Sequence, residues 1–279
     1  MTASLALPYG LGGPMSASPR LNPWEVDAIR RKAYTKKYCL APDAGDAACS
    51  GGIVNAHSVQ GTLLRRIARD GHVYGDVSSI GTLQRNLGQF TYGLVGVNLA
   101  STFTGFCNLH DTKIFAPIEK GDFIAGPEQC FLLAYRAMCR EVFVKRATLE
   151  NADWIVQNVP PCTLALAKAH RNLTEVGLRD LQWHKDAYDR DLRSNNFSAL
   201  EWVAIELSNT PDFVCSGLCF PDYDFAGKRL QDLSDVKARM QLVTFSVIPT
   251  QGGGIVVFAW HSTSGPVGWQ LAGLPRCDW

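Results

Sequence analysis

The sequence has no run of about 18 consecutive apolar residues, which excludes a helix that would cross a bilayer. It lacks an excess of charge of either sign. Its 27 Lys and Arg stand against 26 Asp and Glu, a net +1, so no general attraction to polyanions or anionic lipid is built in. Charged residues are few, at 19%, and apolar residues reach 46%, a balance that excludes a disordered chain and supplies a core. No basic residue precedes Arg20, and Pro and Gly interrupt residues 1–20, so the charged start and continuous apolar centre of a secretory signal are missing. The nine cysteines, an odd count, are therefore expected as thiols or metal ligands in a cytoplasmic protein, not as a disulfide framework. There is no Gly-x-Ser-x-Gly elbow. The glycine run QGGGIVV lacks the Lys and Ser or Thr of a phosphate loop and precedes a strand.

What is present divides the 279 residues by texture. Residues 1–22, rich in Gly, Pro, Ser and Ala, are expected as a flexible tail. Residues 23–36 read as a helix capped by Asn22 and opened by Pro23. Residues 38–125 are irregular, with strand-like runs at 52–54, 71–74 and 93–97 and a short helix at 61–70 that carries Arg65, Arg66 and Arg69. The run from Ser101 to Glu119 turns from strand to helix near Phe106. Residues 127–147 predict a helix with a broad apolar face of Leu132, Leu133, Tyr135, Ala137 and Met138. Residues 150–195 continue helical, broken at Pro160 and Pro161.

From about residue 200 the pattern changes to strands at 201–206, 212–218, 241–248 and 255–261. The last two are joined by PTQGGG as a hairpin with its turn at 250–254. Alternation places Val243, Phe245 and Val247 on one face, and Leu242, Thr244, Ser246 and Ile248 on the other. The fold class is α+β: an irregular, zinc-stapled N-terminal part, a helical middle over 126–200 and an antiparallel β region over 201–279.

The chemistry-bearing residues are Cys39, Cys49, His57, Cys107, His110 and Asp111. Cys107 and His110 have two residues between them, a spacing that points both side chains into one small volume on a turn leading into a helix. Structural zinc takes four such thiolate and imidazole ligands in a tetrahedron. Cys39 and Cys49 supply the other two, across a nine-residue gap, LAPDAGDAA, that folds out as a loop. His57 and His72 compete for the same ion. A long segment with so few apolar runs needs an added staple, which a metal provides.

A cysteine pair, then the dipeptide Ala56–His57, then Cys107-x-x-His110 followed by an acid, resembles the HNH endonucleases of the ββα-metal type. The likeness covers about residues 36–120 and places an HNH-like module at 23–125. It implies a structural zinc on Cys39, Cys49, Cys107 and His110, and a general base at His57. It also implies a catalytic Mg²⁺ or Mn²⁺ held at Asp111, which stands where that family usually has histidine. Asn98 is a candidate for the middle asparagine. The implied activity is metal-assisted hydrolysis of DNA or RNA, with defence against foreign DNA in bacteria as the expected setting. Arg65, Arg66 and Arg69 would meet phosphates. The stretches HSVQ, GHVYG, STFTGFCNLHD and FAPIE also resemble an uncharacterised bacterial protein family, which implies no activity. The near-neutral charge favours the alternative, a noncatalytic zinc-stabilised protein whose helical or β region binds a protein or a small ligand.

Other signals read as structure. Asp222, Tyr223 and Asp224 follow Pro221 and predict a turn between strands. Cys215 and Cys219 have no second Cys or His pair close in sequence. Trp260, Trp269 and Trp279 are expected in core and edge packing ahead of a base-stacking surface.

Overall fold

The structure, a computed structural model, describes residues 21–45 and 48–273. The tail expected over 1–22 lies, but for its last two residues, outside the described residues, as does Trp279. In chain order the elements are α1 (Pro23–Tyr34), β1 (Ile53–His57), α2 (Gly61–Ile67), β2 (His72–Asp76), α3 (Ile80–Arg85), β3 (Tyr92–Gly96), β4 (Thr102–Cys107) and α4 (Asn108–Glu119). They continue with α5 (Pro127–Asn158), α6 (Pro161–Ser194), β5 (Leu200–Leu207), β6 (Cys215–Cys219), β7 (Val243–Thr250), β8 (Gly253–His261) and α7 (Val267–Ala272). The class is α+β, and every strand pair among these elements is antiparallel. No helix is long and apolar enough to cross a membrane among the described residues.

Local chemistry sets the ends of the helices. The Asn22 side chain accepts from the Trp24 N–H, and Pro23 fills the first turn of α1, where a missing N–H costs nothing. The first long helix runs past its expected end at 147 to Asn158, because nothing in the sequence interrupts it there. Pro160 and Pro161 end it, since the residue before a proline is pushed out of the α region. Pro161 then opens α6, and the two helices pack as an antiparallel pair. The helix expected over 61–70 stops at Ile67. Ala68 turns extended, and Asp70 and Gly71 take positive φ in a tight turn that pairs Arg69 with His72. Arg69 therefore leaves the helix that carries Arg65 and Arg66.

The C-terminal sheet has the order β5–β8–β7–β6. Thr250 pairs with Gly253, so the hairpin turn is only Gln251 and Gly252, with Gly252 at φ +81. Gly254 lets Pro211 approach: a Cβ there would stand 2.7 Å from the proline Cδ. Alternation sorts the faces. Leu242, Ile248, Val257 and Ala259 join the main core on the α5 side, whereas Val243, Trp260, Val267 and Leu271 form a second cluster under α7. The buried Trp260 and the half-buried Trp269 pack edge to face with centroids 5.2 Å apart.

One apolar cluster ties the three stretches together. It runs from Leu40, Phe103 and Phe106 through Phe115, Phe131, Tyr135 and Phe143 to Leu200 and Ile248. Fully burying one such side chain contributes about 1.5–3 kcal/mol. α5 lies at the centre of this core and touches α1, α4, α6 and the C-terminal sheet. Strands β1 and β4 pair although α2, β2, α3 and β3 lie between them in sequence, and α4 follows β4 directly.

Candidate metal centre and its surroundings

Each ligand is positioned by backbone bonds. The segment after α1 runs beside β4: the Tyr38 N–H donates to the Thr104 carbonyl at 3.4 Å, and the Leu40 N–H to that of Gly105 at 2.9 Å. Cys39 is thereby held next to the end of β4, where Cys107 sits. The loop carrying Cys49 folds over the start of α4, with the Asn108 N–H on the Gly52 carbonyl at 2.9 Å. Gly51 sits at φ +75, and a Cβ on it would stand 3.0 Å from Cβ of Asn108, so this close approach needs glycine. His110 lies in the first turn of α4.

The three sulfurs surround one imidazole nitrogen. Nδ1 of His110 is 3.1 Å from Sγ of Cys107, 3.4 Å from Sγ of Cys39 and 3.7 Å from Sγ of Cys49. All four ligand atoms lie within 4.8 Å of one another. A tetrahedral ion with metal–sulfur bonds of ~2.3 Å and metal–nitrogen bonds of ~2.0–2.1 Å needs sulfur and nitrogen roughly 3.5 Å apart. The Cys3His group can hold a metal ion such as zinc. Three thiols this close compete for negative charge. Burial pushes the Cys107 thiol up, but the backbone N–H groups of His110 and Ser50 and the His110 ring outweigh it, taking it down to about 7. Burial and the neighbouring Cys107 sulfur push Cys39 up to about 11. A divalent cation would let all three ionise together.

Sequence reasoning missed the acid behind the group. Nε2 of His110 is 3.2 Å from Oδ1 of Asp43, the arrangement that fixes a ligating histidine's tautomer and raises its basicity. Asp43 stands inside the nine-residue loop between Cys39 and Cys49, and an acid between two ligands was the available signal. Neither competing histidine joins the group. Nδ1 of His57 bonds the Ala100 carbonyl at 3.1 Å, and Nδ1 of His72 bonds that of Asp70 at 2.7 Å. Among the described residues no second group of His, Cys, Asp or Glu gathers in this way.

His57 ends β1 with its Nε2 toward the start of α2. A Cβ on Gly61 would lie 3.3 Å from that nitrogen and 3.6 Å from Nη2 of Arg65. Burial lowers the pKa of His57, against the Ala100 carbonyl, and Arg136 and Arg65 lower it further. Asp111 lies in the first turn of α4, and its Oδ1 is buried without a partner among the described residues. Burial raises its pKa, and Arg136 opposes that. Arg136 is the second residue sequence reasoning missed. It is buried on α5, stacks its guanidinium 4.0 Å over the Phe115 ring and bonds Glu119 at 2.5 Å, while its Nε and Nη1 have no partner among the described residues. An arginine within the apolar run FLLAYRAMC was the signal. His57 and Asp111 thus both feel the same Arg136–Glu119 pair.

Arg65, Arg66 and Arg69 are all exposed, and Arg66 donates through Nη1 to the Pro249 carbonyl at 2.8 Å, joining α2 to the C-terminal sheet. Asp224 makes a turn: its Oδ1 accepts from the N–H groups of Ala226 and Lys228 at 2.9 and 2.8 Å. Comparison with family models, with curated proteins and with solved structures gives no match to this chain.

Proposed function

We propose that the protein is a zinc protein of divergent HNH type that hydrolyses phosphodiester bonds in nucleic acid. The observation that carries this reading is the frame around the Cys3His group. Two antiparallel strands, β1 and β4, lead into the helix α4; His57 ends the first strand, and Cys107 and His110 sit where the second meets the helix. Zinc is the proposed ion because three thiolates and an imidazole at tetrahedral separations are its preferred donors, with no position left open for substrate. Its role there is structural.

The residues around it divide the work. The Ala100 carbonyl holds Nδ1 of His57 as the N–H nitrogen, which leaves Nε2 to take a proton from water. Burial and two arginines keep the ring neutral near pH 7, as a base requires. Arg65, which like Nε2 of His57 lies close to Gly61, and the exposed Arg66 and Arg69 meet the phosphates. The orphaned, buried Oδ1 of Asp111 fits a hard cation, and Mg²⁺ or Mn²⁺ bound there would stabilise charge developing on the phosphate.

One observation favours a second reading, a noncatalytic zinc-stabilised protein that binds a protein or small ligand. The buried Arg136 guanidinium already supplies positive charge to Asp111 and Glu119, and a divalent ion would have to compete with it. The two readings separate in one experiment. Metal analysis of the purified chain should give one zinc, and plasmid DNA or labelled RNA should be cut with Mg²⁺ or Mn²⁺. His57→Ala and Asp111→Ala should each abolish cleavage with zinc content unchanged; loss of a positioned base costs about 100- to 10,000-fold. Wild-type protein that cuts neither substrate with any divalent metal leaves the second reading standing.

A further inference from the structure

Strands β2 and β3 form a two-stranded ribbon inserted between β1 and β4. Its inner face is closed: Val73 and Val95 pack with Val59, Leu64 and Val97. Its outer face is open, with Tyr74 77% exposed, Tyr92 68% and Leu94 63%. Tyr74 pairs with Leu94, and Tyr92 pairs with Asp76, so the two tyrosines are diagonal neighbours on that face. Diagonal positions stand ~7–8 Å apart. Monomeric proteins rarely leave such aromatic surface uncovered without a use for it.

The surroundings say which partner fits. Residues 61–96 hold four arginines and two aspartates, a formal +2 in a chain whose total is +1. The ribbon also continues from α2 through the turn in which Arg69 and His72 exchange backbone hydrogen bonds of 2.9 Å. Paired residues point to one face, so Arg69 stands with His72 on the face that carries Tyr74.

We propose that the β2–β3 ribbon is a platform for single-stranded nucleic acid, with Tyr74 and Tyr92 stacking on successive bases and Arg69, paired with His72 at the start of β2, meeting the backbone. The inference rests on reading the protein as one that acts on nucleic acid, and it names the substrate class as single-stranded. Stacking on an aromatic ring is sequence-tolerant, because every base has a π-face.

Fluorescence anisotropy of the zinc-loaded full chain tests it, with labelled oligo(dT) and a duplex of equal length. Tyr74→Ala and Tyr92→Ala should each weaken oligo(dT) binding by roughly 5- to 150-fold, the effect of one lost stack, whereas Tyr74→Phe keeps the ring and the affinity. Wild-type affinity for oligo(dT) in the double alanine variant would overturn the proposal. So would a dimer, seen by light scattering, that the same variants dissociate, since the face would then bind a second copy. The two readings fail separately. Ribbon-dependent binding without cleavage sinks the hydrolytic role alone, and cleavage sensitive to His57→Ala but unaffected by the ribbon variants sinks the platform alone.

Discussion

Replacing Asp43 by alanine tests the metal centre at its most specific point. With an ion on the Cys3His group, the carboxylate would not bind it but would receive the Nε2–H of His110 and make Nδ1 a better donor. Partners of this kind are typically worth 10–100-fold in metal affinity. The contact is 3.2 Å and the Asp43 side chain is 63% exposed, so water replaces part of what is lost. The expected effect lies at the lower end, about tenfold in zinc dissociation constant, or ~1.4 kcal/mol. Asp43→Asn keeps an acceptor oxygen without the charge and should lose about threefold. Competition against a chelating dye measures both, and the Co²⁺-substituted absorption spectrum reports whether the site stays tetrahedral. Wild-type affinity in Asp43→Ala would refute the link through His110. Complete loss of zinc, or a changed Co²⁺ spectrum, would make Asp43 a direct ligand and refute the Cys3His assignment.

Cys107→Ser, or removal of the ion by a chelator, should unfold the N-terminal part, because the binding energy of a structural ion is folding energy; new proteolytic cuts within residues 38–120 would show it. The pH profile of any cleavage should keep its activity down to below pH 6.5, because burial lowers the pKa of His57 from that usual value and a base works only while neutral. An acid limb above 6.5 would exclude His57 as the base. Gly268→Ala should destabilise the C-terminal region, since its Cβ would fall 1.9 Å from Cδ2 of the buried Trp260. Overpacking of this kind costs about 2–3 kcal/mol, a fall of roughly 4–8 °C in Tm by calorimetry. An unchanged Tm would mean that α7 does not pack on β8.

The sequence by itself determined the features whose cause is local. Pro160 and Pro161 had to break the long helices, because a proline restricts its own φ and its predecessor. Period-2 alternation across the Gln251–Gly252 turn had to give a hairpin with two different faces. Cys107 and His110 had to lie close, because two residues at a helix start span one turn. Tertiary structure decided what depends on distant partners. The pairing of β1 with β4 across four intervening elements leaves no mark in either strand's own pattern. The approach of Cys39 to Cys107 depends on backbone bonds from Tyr38 and Leu40 to β4, which any sequence could make. Arg136 is charged on a helix read as apolar, and only folding brings Glu119, Asp111 and the Phe115 ring to it, because a buried charge is tolerated only where partners from other elements converge.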